Sequence, residues 1–111
     1  MLFAIHCLDR PGTSALRQAT AAEHSEYMAA HRACLVFGGP LLADDGQTRI
    51  GLMVVLDLPS RAETEAFLAA EPYYRAGLFG HCSVTPYQLI VGKGPGATEG
   101  GAASQKEIGD E

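Results

Sequence analysis

Apolar residues recur along this chain with two different periods, and the places where the period changes mark its elements. Residues 2–8, Leu-Phe-Ala-Ile-His-Cys-Leu, form a short, nearly continuous apolar run of strand length. Asp9-Arg10-Pro11-Gly12 is turn chemistry, and Thr13 or Ser14 can cap a helix after it. From 15 to 34 there is no proline or glycine. Leu16, Thr20, His24, Tyr27, Met28 and His31 fall on one helical stripe, which predicts a first helix over most of that span. Residues 35–42 read as a second strand, broken or bulged at Gly38-Gly39-Pro40. Asp44-Asp45-Gly46-Gln47 supplies the positive φ of a hairpin turn, and 49–58 is the third strand, stopped by Pro59. Ser60 with Glu63 makes a capping box, so a second helix covers about 61–70 with Thr64, Phe67 and Leu68 inward. Pro72 stops that helix at Glu71 and opens a further short turn that ends at Gly77. A fourth strand covers 82–91, where Pro86 predicts a sheet edge or a bulge. From 93 to 111 the composition turns to Gly, Ala, Ser and charge, and a disordered tail is expected after a single domain at 1–92.

The order is therefore β-α-β-β-α-β, an α+β, ferredoxin-like arrangement on an antiparallel sheet. Two helices cover one face of such a sheet. Yet Ile50-Gly51-Leu52-Met53-Val54-Val55-Leu56 is apolar at both parities, where a strand with one wet face would alternate. A second copy of the sheet is the simplest cover for the other face, which predicts a homodimer, a dimeric α+β barrel.

Charge narrows the partners. The formal net charge is −5, and the only lysines, Lys93 and Lys106, lie in the tail, which argues against nucleic acid. No apolar run approaches the roughly 20 residues that cross a bilayer, and no basic leader precedes the first strand, so no membrane association and no signal peptide are expected. Cys7, Cys34 and Cys82 form no CxxC pair and are odd in number, which fits a reducing, cytoplasmic setting.

The residues able to carry chemistry concentrate at the helix-to-strand junction Glu71-Pro72-Tyr73-Tyr74-Arg75 and on the first helix. His24 sits on the inward margin of that helix, flanked by Glu23 and Tyr27, and histidine passes protons in either direction near neutral pH. A histidine bonded only to backbone is the plain structural alternative. His31 shares its face but is about 10 Å away along the axis, and the histidines and cysteines make no zinc spacing, so no metal is expected. Glu71 can orient the His24 imidazole, or cap the short helix behind Pro72; the two roles are compatible. Tyr73 and Tyr74 can offer hydroxyls to a small-molecule ligand, with core packing the expected role of at least one of them; Tyr27 is a further candidate contact, and Gly38-Gly39-Pro40 can bring backbone close to the ligand. Arg32 and Arg75 either hold an anionic group or are solvated. There is no Walker A motif and no G-x-S-x-G. Gly92 to Ala97 loosely matches G-x-G-x-x-A, but Pro95 and the polar tail leave no helix to follow it, so no cofactor is called for.

The opening strand, His24, Gly39-Pro40, Glu71-Pro72-Tyr73 with Ala76-Gly77-Leu78, and Val84-Thr85-Pro86-Tyr87 together resemble the YCII-related (YciI-like) proteins over about residues 1–91. The resemblance implies a ferredoxin-like dimeric α+β barrel, related in fold to small cofactor-independent monooxygenases and to muconolactone isomerase. It also implies a histidine–acid pair as the catalytic centre, which maps to His24 and Glu71. Glu71 stands where aspartate is more usual, with one methylene more of reach. Some such proteins act in the breakdown of aromatic compounds, one as a dehydrochlorinase.

Three functions follow as expectations. The first is a small-molecule enzyme in which His24 is the general acid/base, of the lyase, isomerase or dehalogenase type. The second is a non-catalytic ligand-binding or regulatory module on the same dimer. The third, from fold analogy alone, is a cofactor-independent monooxygenase.

Overall fold

A computed structural model of the chain describes residues 1–92; the expected tail and the Gly92–Ala97 pattern lie outside or at the limit of that range. The elements are β1 (Leu2–Asp9), α1 (Ser14–Ala30), a 3₁₀ turn (Arg32–Cys34), β2 (Leu35–Leu42), β3 (Arg49–Asp57), α2 (Arg61–Ala70), α3 (Pro72–Arg75) and β4 (Phe79–Tyr87). The four strands form one antiparallel sheet in the order β2-β3-β1-β4. This is the α+β, ferredoxin-like arrangement that the pattern of periods predicts.

The edge strands are β2 and β4, and they carry the two strand prolines, Pro40 and Pro86, where a missing N–H leaves no central ladder bond unmade. The expected break at Gly38-Gly39-Pro40 is not there. These residues pair in unbroken register with Val54, Met53 and Leu52, and the irregularities fall at either end of the strand, between Leu35 and Phe37 and between Leu41 and Leu42. Gly38 serves the pairing itself, because a Cβ there would lie 2.7 Å from the Met53 carbonyl oxygen and 2.8 Å from Val54 Cα.

Local bonds set the ends of α1. It stops at Ala30, within the span that the sequence pattern gives it, because the His31 N–H is shared between the Tyr27 and Met28 carbonyls and the chain tightens into the 3₁₀ turn, with Cys34 N–H on the His31 carbonyl. At the other end of α1, the Thr13 hydroxyl donates back to the Arg10 carbonyl and does not cap the helix. The Ser60 cap is made as predicted, with its hydroxyl accepting from Glu63 N–H at 3.2 Å. β4 begins at Phe79 and ends at Tyr87, earlier at both ends than the expected 82–91. Its partner strand sets the limits, since Asp9 pairs with Phe79 and Leu2, where β1 starts, pairs with Tyr87.

Alternation then divides the sheet. Ile5, Cys7, Val54 and Leu56 face the helices and form the core with Phe67 and Leu68 of α2. The opposite parity carries Ala4, His6 and Leu8 on β1 and Met53 and Val55 on β3, paired Ala4 with Val55 and His6 with Met53. Val55 is nonetheless fully buried; its cross-strand neighbour is Phe37, whose ring meets Tyr87 edge-on at 6.0 Å. Above the helical face, α1 packs mainly on α3 and stands off from β2 and β3. That gap is the site.

Candidate active site

Between α1 and the β2–β3 half of the sheet lies an open cleft of about 550 Å³, the size that suits a small organic ligand. Its helical wall is Arg17, His24, Ser25 and Met28, continued by Arg32 of the 3₁₀ turn. Its floor is Gly51, Leu52 and Val54 of β3 with residues 37–40 of β2, and Arg49 at the start of β3 also lines it. Gly38, which pairs with the inward Val54, adds no side chain to that floor. Tyr73 closes one end.

His24 is anchored from behind. Its Nδ1 bonds Glu71 Oε2, and Glu71 is fully buried. The second carboxylate oxygen, Oε1, accepts the Tyr74 N–H at 3.2 Å and so caps α3. The two roles that the sequence left open for Glu71 are thus filled at once, one by each oxygen. This follows from Pro72, which places Glu71 at the N-cap of α3 directly opposite α1. An ionised carboxylate only accepts, so the shared proton belongs on Nδ1 in the neutral imidazole. Nε2 then carries the free lone pair, and it has no hydrogen-bond partner among the described residues.

Tyr73 fixes the imidazole plane. Its ring stacks on His24 at 4.2 Å between centroids with 19° between planes, and the Arg17 guanidinium lies 4.7 Å from the same centroid. Arg17 and His24 are two turns apart on α1, about 10 Å along the axis, so the tyrosine ring sits between them. Arg17 is itself locked: its Nε donates to Asp9 Oδ2 at 2.7 Å, and its Nη2 to Asp9 Oδ1 and the Gly51 carbonyl, each at 3.1 Å. Burial works against the Arg17 charge, but the Asp9 bonds and charge outweigh it and hold its pKa above the ordinary value. Tyr73 is 4% exposed. Burial raises its phenol pKa, against an opposing pull from Arg17, so it remains a protonated donor. Its hydroxyl has no partner among the described residues.

His24, Tyr73, Gly39 and Pro40 of the sequence-predicted set all line this cleft, with Glu71 directly behind the histidine. Tyr27 does not join them. Its hydroxyl donates to the Phe67 carbonyl at 2.9 Å and its ring packs against His31 and Phe67, so it ties α1 to α2. One turn of helix beyond His24 swings it out of the cleft and into the core. Arg17, Asp9 and Arg49 were not singled out in the sequence. Arg17 was within reach, being seven residues before His24 and on the same helical face. Asp9 ends β1 and Arg49 begins β3, two strands distant in sequence, and neither carries a local signal. Among the described residues, no three His, Cys, Asp or Glu side chains gather as a metal would need, and no helix is long and apolar enough to cross a membrane.

The model of the YCII-related domain matches residues 1–88. A solved structure of 5-chloro-2-hydroxyhydroquinone dehydrochlorinase from Burkholderia phenoliruptrix AC1100, in complex with 2,5-dihydroxybenzoquinone, superposes with a TM-score of 0.74 at 30% identity, covering 79% of this chain and 94% of that one. An antibiotic biosynthesis monooxygenase superposes with a TM-score of 0.50 at 13% identity over 82% of this chain and 100% of that one, a likeness of fold. Among curated protein sequences none matches this chain.

Proposed function

This chain belongs to the YCII-related domain family, and from that premise we propose that it is a small-molecule lyase of the dehydrohalogenase type in which His24 moves the proton. The observation that carries the reading is the buried Glu71–His24 pair at the wall of the cleft, which holds the imidazole with Nε2 as its unpartnered nitrogen. The likeness to the dehydrochlorinase, at 30% identity over nearly the whole of that protein, supports the same class of reaction.

The chemistry needs only groups of this chain. Nε2 takes a proton from a substrate hydroxyl, or from a carbon conjugated with the carbon that bears the leaving group. In a substrate, or a keto tautomer of the ring, whose halogen-bearing carbon is tetrahedral, the electrons of that bond become a new π bond, and the carbon–halogen bond breaks with its pair on the halide. Proton and halide leave together as HX, so nothing is oxidised or reduced overall. Glu71 holds the tautomer and steadies the imidazolium formed on the way. In this reading the Tyr73 hydroxyl donates to the oxygen on which charge accumulates. Without a leaving group, the same proton transfer is an isomerisation. The assembly proposed for this enzyme is a homodimer joined through the outer face of the sheet.

The test is halide release from 5-chloro-2-hydroxyhydroquinone and halogenated analogues. His24→Ala should lower the rate by roughly 10²- to 10⁴-fold. Turnover that survives His24→Ala undiminished would remove the acid–base reading.

A further inference from the structure

Three of the six arginines of this chain, Arg17, Arg32 and Arg49, line one cleft, and none of its carboxylates does. In a protein of net charge −5 that is a pronounced local reversal of sign. Arg17 is matched by Asp9. Arg32 and Arg49 form no ion pair with any described residue. Two guanidiniums without an ion pair among the described residues therefore line the cleft, one after α1 and one at the start of β3. On the Arg17 side of His24 the cleft is lined by Tyr73, whose hydroxyl is a donor on a side chain 4% exposed, with no partner among the described residues. A buried donor without an acceptor is costly, and here the cleft is the place from which an acceptor can come. Every polar side-chain group of the wall that is not already satisfied within the protein is a donor, except Nε2 of His24 and the Ser25 hydroxyl.

We propose that the cleft selects substrates that carry a formal negative charge, as a carboxylate or an ionised ring hydroxyl, drawn in by the guanidiniums of Arg49 and Arg32, with an oxygen held by Tyr73. This rests on the acid–base reading, whose substrate class it specifies. A guanidinium grips two oxygens in one plane, and the apolar floor of Leu52, Val54 and Pro40 suits a ring laid along it. The low-dielectric walls focus the positive field at the mouth, so the rest of the acidic surface steers an anion toward this one place. An anion bound beside His24 also stabilises the imidazolium formed when Nε2 takes the mobile proton.

The experiment uses the full chain and two probes of one skeleton: 2,5-dihydroxybenzoquinone, an acid ionised at neutral pH, and its neutral 2,5-dimethoxy analogue. Calorimetric titration should give a Kd at least about tenfold lower for the dihydroxy compound, an advantage that shrinks at about 1 M salt. The double variant Arg32→Gln/Arg49→Gln, changed only at exposed side chains, should lose most of that advantage and leave the dimethoxy affinity unchanged. Tyr73→Phe should weaken both probes. Equal affinity for the two compounds, an unaltered preference in the double variant, or no binding of the dihydroxy compound up to millimolar concentration would each overturn the proposal. The His24→Ala variant keeps the two ideas apart. Charge preference retained in a protein whose turnover ignores His24 leaves the anion site standing and removes the acid–base role, and the reverse pattern does the opposite.

Discussion

Replacing Glu71 by glutamine exposes how much of the site depends on one carboxylate. Glu71 is fully buried, and each of its oxygens accepts from a different donor, His24 Nδ1 and the Tyr74 N–H. A glutamine side chain offers one oxygen and one NH₂ in the same space. If the oxygen stays on Tyr74, the NH₂ faces His24 and can bond only a bare Nδ1, which moves the ring proton to Nε2. If the oxygen stays on His24, the NH₂ confronts the Tyr74 N–H and the cap is lost. A lost cap is worth about 1 kcal/mol, and a hydrogen bond to a charged group about 1.5–3 kcal/mol. Exchanging the latter for a neutral bond loses part of that, so the total should be about 2 kcal/mol. For a domain of this size each kcal/mol is about 4–8 °C in Tm, which predicts a fall of about 8–16 °C for Glu71→Gln. Glu71→Ala, which abandons both donors in a dry site, should cost about 3–5 kcal/mol. Thermal denaturation followed by circular dichroism measures the first quantity. The imidazole ¹⁵N shifts of His24 report the second, because they distinguish the Nδ1–H from the Nε2–H tautomer. A Glu71→Gln variant with an unchanged Tm and the proton still on Nδ1 would refute the shared-carboxylate account.

Gly51→Ala should lower the urea midpoint by the equivalent of about 1–3 kcal/mol or more, since its Cβ would lie 2.3 Å from the Cys7 carbonyl oxygen and would have to part β1 from β3; a neutral result would mean the strands separate freely. In the β2–β3 turn, the Thr48 hydroxyl and the Thr48 and Gln47 N–H groups bond Asp45 and lower its pKa from 3.8 to about 2. The unfolded chain therefore binds the extra proton first. The stability that Asp45 contributes over Asp45→Ala is complete above about pH 4 and is lost as pH falls toward 2, and an Asp45 carboxylate that titrates at its ordinary value by NMR would contradict this. Leu8 and Phe37, 38% and 40% exposed, carry apolar surface onto the outer face of the sheet and predict a dimer in light scattering at low micromolar concentration, which Phe37→Asp should dissociate; a monomeric parent chain would remove the homodimer.

The sequence by itself determined the elements, their order and hence the topology, because each rests on local chemistry. The Ser60 cap, the Asp-Gly turn, Pro72 opening α3 and Gly77 closing it at φ +78° all act within a few residues. It also brought His24 and Glu71 into view, one on an inward helical stripe and the other at a proline junction, and the YCII resemblance joined them. What the sequence left undecided depended on contacts between distant segments. The end of β4 is set by where β1 begins, 85 residues earlier in the pairing of Leu2 with Tyr87. Whether Tyr27 or Tyr73 faces the cleft follows from the α1–α2 and α1–α3 packing, which commits one hydroxyl to Phe67 and lays the other ring on His24. Periodicity gives the side of a helix to within a residue or so, and that margin separates Tyr27 in the core from His24 in the wall. The positive character of the cleft was the least legible feature. Arg17, Arg32 and Arg49 come from three elements, and only the fold brings them around one space while Asp9 neutralises the first and leaves the other two open.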